Sequence, residues 1–235
     1  MLRVFTLVAL GLLVGTAGAY ESRFYGIRPD YNRVTGTVST ETYFGVTNWK
    51  YYPGQGWSQY LAFPGYQLRW SPNGRYMAYN LGSTAKVVLY DRATSTHRDI
   101  ALPTDGFSCN VYCWSGDSRY VYFNRTIAGV PQVRKVDIHT LQETAFVGGA
   151  GTSYADMPDW SPNPIMAGSF STSNGSYGHG IWHNGQLLYA SPWRIESLRV
   201  EPGIEKRRII FAETIPVLGR RCYMIDLDSW DPKVL

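Results

Sequence analysis

WSPNGRYMAY, residues 70–79, is the stretch that decides the fold, because it recurs twice along the chain. Residues 114–123, WSGDSRYVYF, align with it without gaps, and residues 160–169, WSPNPIMAGS, align more loosely. The spacings between the three copies are 44 and 46 residues. Periods of about forty residues are typical of propellers and solenoids. The sequence therefore predicts a protein built from repeats.

Each copy predicts a tight turn between two strands. Pro fixes φ, and Asn, Asp and Gly tolerate the other turn conformations, so Ser-Pro-Asn-Gly and Ser-Gly-Asp-Ser favour a turn. The alternating apolar residues that follow predict a strand. We expect Trp70, Trp114 and Trp160 to end the preceding strand and to fill the space between neighbouring blades. They are therefore predicted to pack, not to hold a ligand.

A second recurring pattern is a strand that ends in Asp, followed three residues later by Ser or Thr. Asp91, Asp137 and Asp226 occupy that position. Asp and Thr side chains hydrogen-bond nearby backbone groups, so these aspartates are predicted to close turns and not to act in catalysis. In the intervening unit Asn184-Gly185 takes their place, and Asn-Gly strongly favours a hairpin.

The repeats predict an all-β fold, a β-propeller of five blades that are each a four-stranded antiparallel sheet. Clear repeats begin near residues 70, 114 and 160, and degenerate ones near 27 and 200. A propeller closes to hide its sheet edges, and only 35 residues follow Val200. Ser22–Gly26 is therefore expected to supply the last strand. The alternatives are four blades with an amino-terminal extension, or an open ring completed by another chain.

Residues 1–19 have the pattern of a secretory signal peptide. Arg3 precedes an apolar run from Phe5 to Gly15, and Ala17-Gly18-Ala19 supplies a small-residue cleavage pattern. The run is too short for a membrane span of roughly twenty residues. We expect one propeller domain over residues 20–235, no membrane span, and export to the periplasm or secretion.

Charge and composition exclude one class of partner. The chain has 17% charged and 15% aromatic residues, with 24 Gly and 13 Pro, which suits many short strands joined by turns. The net charge of +4 comes from basic residues that are scattered, apart from Lys206-Arg207-Arg208 and Arg220-Arg221. Nucleic-acid binding is therefore not predicted.

The chain has three cysteines, and an odd number does not make a disulfide framework. In a straight strand Cys109 and Cys113 would stand roughly 13 Å apart, so a disulfide between them requires a bend at Asn110-Val111. The sequence leaves open whether these two cysteines form a disulfide or are free thiols. The same spacing keeps His179 and His183 too far apart for one metal ion unless the chain turns. The sequence predicts no metal and no cofactor.

The segments WSPNGRYMAY and WSGDSRYVYF resemble the WD40-like repeat of TolB-like β-propellers and of the propeller domains of prolyl-oligopeptidase relatives. The resemblance covers Trp70 to about Tyr189. For the TolB-like family it implies a periplasmic protein that binds partners in the cell envelope. The peptidase relatives carry a Gly-x-Ser-x-Gly nucleophile turn, and this sequence has no such motif. A serine hydrolase is therefore not predicted.

The segment from Asn48 to Tyr60 differs most from the repeat. It combines aromatic and turn residues outside a clean strand pattern, which is typical of recognition loops, although such residues also suit an open end of the core. The candidate binding residues are Trp49, Tyr51, Tyr52, Trp57 and Tyr60.

We therefore expect an exported binding or scaffold protein, without catalytic residues, that holds a protein or cell-envelope partner on one propeller face. The alternative is a carbohydrate-active propeller, a lyase, glycosidase or lectin that takes a glycan. A lyase or glycosidase would need a carboxylate pair or a histidine-rich metal site in the channel.

Overall fold

Short strands rich in Val, Ile, Tyr and Trp alternate with turns rich in Gly, Asn and Asp, because branched and aromatic side chains suit a pleated, half-buried surface. The computed structural model describes residues 30–42, 45–81, 86–102, 109–127, 130–146, 152–171, 177–201, 204–229 and 231–234. These residues form twenty β-strands. No helix able to span a membrane occurs in this part of the chain.

The strands form five sheets, and in each sheet four consecutive strands pair antiparallel. Blade 1 contains β1 (Asp30–Asn32), β2 (Thr37–Thr42), β3 (Gly45–Tyr52) and β4 (Gly56–Phe63). Blade 2 contains β5 (Tyr66–Trp70), β6 (Tyr76–Leu81), β7 (Lys86–Asp91) and β8 (Thr96–Ala101). Blade 3 contains β9 (Asn110–Trp114), β10 (Tyr120–Ile127), β11 (Val130–Asp137) and β12 (Glu143–Ala145). Blade 4 contains β13 (Thr152–Asp156), β14 (Ile165–Ser171), β15 (Tyr177–His183) and β16 (Gln186–Ser191). Blade 5 contains β17 (Arg194–Val200), β18 (Arg208–Ile215), β19 (Gly219–Asp226) and β20 (Asp231–Val234). The predicted five-bladed β-propeller is confirmed.

The last blade takes its fourth strand from the carboxyl end of the chain. β20 pairs antiparallel with β19, from Tyr223 opposite Val234 to Asp226 opposite Asp231. The expectation that Ser22–Gly26 supplies this strand is therefore wrong, because a four-residue strand is enough to complete the sheet. Ser22–Gly26 and the predicted signal peptide lie outside the described residues.

Trp70 and Trp114 join neighbouring blades in the way that the repeat predicts. Each is the last residue of the first strand of its blade, and each is buried. Trp70 Nε1 donates a hydrogen bond to Ser39 Oγ of blade 1 at 2.7 Å. Trp114 Nε1 donates to the Arg69 carbonyl of blade 2 at 2.8 Å, and its ring stacks on Tyr76 with centroids 6.2 Å apart. Their role in packing between blades is confirmed.

Trp160 does not share this position. In blade 4 the first strand ends at Asp156, and Trp160 follows in the turn. Asp156 pairs with Ile165, nine positions on, whereas Trp70 pairs with Met77, seven positions on. The expectation that Trp160 ends a strand is therefore wrong, because this turn is longer than those of blades 2 and 3. The longer turn leaves the indole ring only partly buried.

Each pair of consecutive blades encloses its own apolar cluster. Val46 of blade 1 packs with Leu68 and Met77 of blade 2. The other clusters include Val87 with Phe123 between blades 2 and 3, Tyr122 with Met166 between blades 3 and 4, and Ile181 with Phe211 between blades 4 and 5. The core is thus divided into layers between blades, as expected when sheets pack face to face around an axis.

Charged side chains on the innermost strands bind the backbone of the next blade. Asp30 Oδ2 accepts from the Trp70 N–H (2.5 Å), and Asp156 Oδ2 accepts from the Val200 N–H (2.9 Å). Arg69 Nε donates to the Tyr112 carbonyl (2.8 Å). Burial raises the pKa of Asp30, while the Arg69 guanidinium and the Trp70 N–H act in the opposite direction. The charges near the axis are therefore used to hold blades together.

Candidate functional site: two grooves on the turn face

The turns between the first and second strands lie on the same face of the propeller. In an antiparallel blade the turn between the third and fourth strands lies at that edge too. Three contacts join these turns across blades: Asn32 Nδ2 to the Gly74 carbonyl (2.9 Å), the Asn73 N–H to Ser118 Oγ (3.0 Å), and the ion pair of Arg33 with Asp159 (3.2 Å). We call this surface the turn face.

The repeat sequence makes these turns rigid. In blade 3 the Tyr120 N–H donates to Ser115 Oγ at 2.8 Å, and the Arg119 N–H donates to Asp117 Oδ1 at 3.0 Å. Ser71 and Asn73 make the equivalent bonds in blade 2. The Ser115 hydroxyl also donates to the Asp117 carboxylate and lowers its pKa. The turns therefore present a fixed surface to solvent.

A groove of about 600 Å³ opens on the turn face between blades 3 and 4. Its walls combine aromatic rings with polar and charged groups: Tyr120, Tyr122, Trp160, Lys135, Asp117 and Asn163. Burial raises the pKa of Tyr122 to about 12, so that hydroxyl is neutral at physiological pH. We call this the blade 3–4 groove.

The aromatic rings of this groove are held by contacts to cations and to histidine. The Tyr120 ring lies 5.2 Å from the Arg119 guanidinium and 4.8 Å from Lys135 Nζ. The Trp160 ring meets the edge of His183 at 5.1 Å and lies 6.0 Å from the Arg207 guanidinium. Such contacts fix ring orientation before a ligand arrives. The groove can accept flat or aliphatic groups with little reorganisation.

A second groove, of about 350 Å³, opens on the same face between blades 1 and 2. Its lining includes Thr35 and Lys50 from blade 1 with Tyr90, Arg92 and Ser95 from blade 2. We call this the blade 1–2 groove.

The segment predicted to be a recognition loop is a regular hairpin. β3 and β4 pair along its length, with Trp49 opposite Gln59 and Tyr52 opposite Gly56. Gly54 and Gly56 adopt φ angles of +79° and +84°, which suit a tight turn. The description of this segment as lying outside a strand pattern is therefore wrong, since its glycines close the turn and its aromatic residues occupy strands.

The hairpin does not bring all five predicted binding residues to one described site. Trp49 is half-buried and donates from Nε1 to Thr40 Oγ1 at 3.1 Å, within its own blade. Tyr52 is 37% exposed and lines the blade 1–2 groove. Tyr51, Trp57 and Tyr60 lie on the strands, but their side chains are outside the described part. A binding role for these three residues stays a prediction.

Cys109 and Cys113 are both buried free thiols. Cys109 packs between blades 2 and 3, and Cys113 packs between blades 3 and 4. A bulge in the pairing of β9 with β10, where Tyr112 has no direct partner, turns the two side chains to opposite faces of the sheet. The candidate disulfide is therefore not formed. Burial raises the pKa of both thiols.

The two histidines of the segment 179–183 lie in different surroundings. His183 Nε2 lies 2.8 Å from Ser161 Oγ and supports the long turn of blade 4. His179 lies near Arg194 and Glu213, and burial lowers its pKa. β15 runs as a continuous strand through both residues. Among the described residues no group of three or more His, Cys, Asp or Glu side chains is placed to hold a metal ion.

The predicted turn-closing role of the three aspartates is confirmed. Asp91 Oδ1 accepts from the Ala93 N–H at 2.9 Å, and Asp137 and Asp226 accept from the N–H groups two residues after them. Each also pairs with an arginine at the start of the second strand of its blade, either just before it or as its first residue: Arg75 with Asp91, Arg119 with Asp137, and Arg208 with Asp226. The sequence interpretation missed these arginines, although Arg-Tyr follows the turn in both clear copies.

No protein-family model matches the sequence, and no curated protein sequence is significantly similar to it. Solved structures resemble its fold. A TolB-like protein from Agrobacterium tumefaciens matches with a TM-score of 0.66 at 13% identity, over 88% of this chain and 78% of that one. TolB from Acinetobacter baumannii matches with a TM-score of 0.58 at 16% identity, over 89% and 52%. A chain of a nidogen/laminin complex matches with a TM-score of 0.62 at 7% identity, over 88% and 78%.

The fold is that of the TolB-like β-propellers, which confirms the resemblance seen in the repeats. The chain spans about half the length of the Acinetobacter protein. Because the same propeller serves many functions, this likeness establishes the fold and not the activity.

Proposed function

We propose that this chain is an exported, non-catalytic binding protein that holds a protein partner of the cell envelope on its turn face. The observation that carries the proposal is the pair of grooves on that face, which combine aromatic rings with polar groups. Three charged side chains of the innermost strands, Asp30, Arg69 and Asp156, are bonded to the backbone of the next blade and join the blades. The grooves are thus the concave surfaces best suited to a ligand.

The composition of the blade 3–4 groove supports a protein ligand. Tyr and Trp supply large, rigid contact area with a polar atom at one end, and such residues dominate the binding energy of protein interfaces. Here Tyr120 and Trp160 are preoriented by cations, and Asn163 and Lys135 add polar contacts at the rim. The remaining support comes from the TolB-like fold, whose family implies a periplasmic location, and from the signal-peptide pattern of residues 1–19.

Affinity capture from a cell-envelope extract tests this function. The bait is residues 20–235 with a carboxyl-terminal tag, and we expect one partner protein in stoichiometric amount. Trp160→Ala removes a ring of the blade 3–4 groove, so it should weaken partner binding at least about tenfold, as loss of a central aromatic anchor does.

Trp193→Ala is the matched control. Trp193 is 38% exposed and follows Ser191 at the opposite face, so its removal should leave capture unchanged. Thermal unfolding of both variants checks that they fold. Equal loss in both variants, the absence of a stoichiometric protein, or capture that a free glycan abolishes would contradict the proposal.

A further inference from the structure

We infer that the blade 1–2 groove is the docking site for a carboxylate side chain in an acidic peptide segment of the partner protein. This inference rests on the proposed binding function and adds the chemistry of the partner. It depends on the charges, the donors and the walls of the groove.

Among the residues that the structure describes, two cations line the groove and no acidic side chain does so. They are Lys50, two residues before the end of β3, and Arg92, in the turn after β7. Asp91 precedes Arg92 in the sequence, but its carboxylate accepts two hydrogen bonds from Arg75, at 3.1 and 2.8 Å. Among the described residues neither Lys50 nor Arg92 forms an ion pair. The groove therefore has a local positive charge that an anionic group would neutralise.

The blade 3–4 groove differs from the blade 1–2 groove in the charge of its lining. Lys135, the one cation among its described lining residues, shares the walls with Asp117 and Asp159. Arg75, Arg119 and Arg208, which lie at the start of the second strands of blades 2, 3 and 5, are each neutralised by an aspartate. Charge complementarity therefore directs an anion to the blade 1–2 groove.

The donors of the groove are arranged before a ligand binds. Lys50 Nζ lies 5.5 Å from the centre of the Tyr52 ring, which restricts where the ammonium group points. The Thr35 hydroxyl donates to Thr37 Oγ1 at 2.9 Å, which fixes the wall beside it. Ser95 adds a hydroxyl from a turn at φ +55°. A guanidinium, an ammonium and hydroxyls together suit a carboxylate, which accepts several hydrogen bonds.

The apolar walls favour a peptide over a bare anion. Leu61 and Tyr90 line the groove with Tyr52, so an aliphatic side-chain stem meets apolar surface while its carboxylate meets Lys50 and Arg92. Glutamate has this combination of stem and charge. A volume of about 350 Å³ admits such a side chain and leaves the peptide backbone at the surface.

Fluorescence anisotropy with a labelled hexaglutamate peptide tests the inference on residues 20–235. Hexaglutamate should bind more tightly than hexaglutamine, and the difference should shrink as salt is added, because exposed charges are screened. Lys50→Gln with Arg92→Gln should weaken hexaglutamate binding at least about tenfold, equivalent to one lost charge-assisted contact.

Lys206→Gln with Arg221→Gln is the matched control. It removes the same charge at exposed positions of blade 5, so it should leave hexaglutamate affinity within about twofold. An equal loss in both double variants, no preference over hexaglutamine, or tighter binding of an oligogalacturonate through Lys50 and Arg92 would overturn the inference. If hexaglutamate binding follows the expected pattern while envelope capture yields no partner, the groove assignment stands and the proposed scaffold function fails.

Discussion

Trp70 and Trp114 show how one residue type defines a blade. Both are large rings at the end of an innermost strand, and both reach backward to the preceding blade with the indole N–H. A buried indole N–H needs an acceptor, and here the neighbouring blade supplies it. The same residue therefore contributes apolar contact and orientation between sheets.

We predict that Trp114→Ala lowers the free energy of unfolding by about 3–5 kcal/mol, because it removes a buried ring from the contact between blades 2 and 3. Trp193→Ala, at an exposed position, should change it by about 0.5 kcal/mol or less. Urea unfolding followed by circular dichroism measures both. Similar losses in the two variants would show that burial does not distinguish these tryptophans.

Gly74 gives a second prediction at the scale of one residue. Its φ is +69°, and a Cβ there would meet Asn32 Oδ1 at 2.5 Å and Val34 Cβ at 2.6 Å. Gly54 has a φ of +79° and open space around it. Gly54→Ala should cost about 1 kcal/mol for the left-handed backbone alone. Gly74→Ala should cost roughly a further 1–3 kcal/mol for overpacking.

The difference between the two glycine variants is the informative quantity, since both carry the same backbone strain. Thermal and urea unfolding of the two proteins side by side would measure it. If Gly54→Ala proves the more damaging change, the contact between the turns of blades 1 and 2 is not what constrains Gly74.

Single residues were only partly predictable from the sequence. The turn roles of Asp91 and Asp137 follow from local chemistry, which short spacing encodes. The separation of Cys109 from Cys113 depends on a bulge at Tyr112, and a bulge is set by pairing with another strand. Strand periodicity alone would place both thiols on one face.

At the scale of the element, each arginine–aspartate pair joins the second and third strands of its blade. In blade 2 Arg75 directly precedes the second strand and Asp91 ends the third, so their ion pair at 2.8 Å joins two neighbouring strands. The hydrogen bonds from Arg75 hold the pKa of Asp91 below its ordinary value. The carboxylate form is thus favoured in the folded state.

This shift predicts a pH dependence for Asp91→Asn, which keeps a turn acceptor and removes the charge. A lowered folded pKa contributes stability that is present above the unfolded value of about 3.9 and is lost as pH falls through the folded pKa. The wild-type protein should therefore exceed Asp91→Asn in stability near neutral pH, by a modest amount because Arg75 is half-exposed. The difference should disappear in acid.

Unfolding midpoints in urea, measured from neutral pH into acid, test this dependence. Asp228→Asn is the control, since the Arg207–Asp228 pair is almost half-exposed on both sides and should contribute little. A stability difference for Asp91→Asn that stays constant across the acid range would exclude the ion pair as its cause.

Elements with a clear period were predictable, and the departures from it were not. The Asn184-Gly185 hairpin and the turns at Ser71 and Ser115 follow directly from turn chemistry. The sequence predicts an ordinary turn at Trp160, because residues 160–169 align with the other copies and the alignment does not show the two extra positions. The longer turn helps to form the blade 3–4 groove. The repeat pattern does not predict this groove, because the turn differs from the repeat.

At the scale of the whole molecule, five sheets of similar size are joined by layers of apolar residues and by charged bonds near the axis. The period of the repeat and the chain length were enough to predict five blades. They did not place the final strand, because strand length varies between blades and β20 has only four residues. Nor did they place the grooves, each of which arises where two neighbouring blades meet.

The most direct test of the account is photo-crosslinking of the protein in envelope extract from single positions on opposite faces. A photoreactive residue replaces Asn163 in the blade 3–4 groove, Ser95 in the blade 1–2 groove, or Leu218, which is 58% exposed at the opposite face. We predict one discrete protein adduct from Asn163 and from Ser95, and none from Leu218. Adducts from Leu218 alone would contradict the claim that the turn face is the binding surface, and so would the absence of an adduct from all three positions.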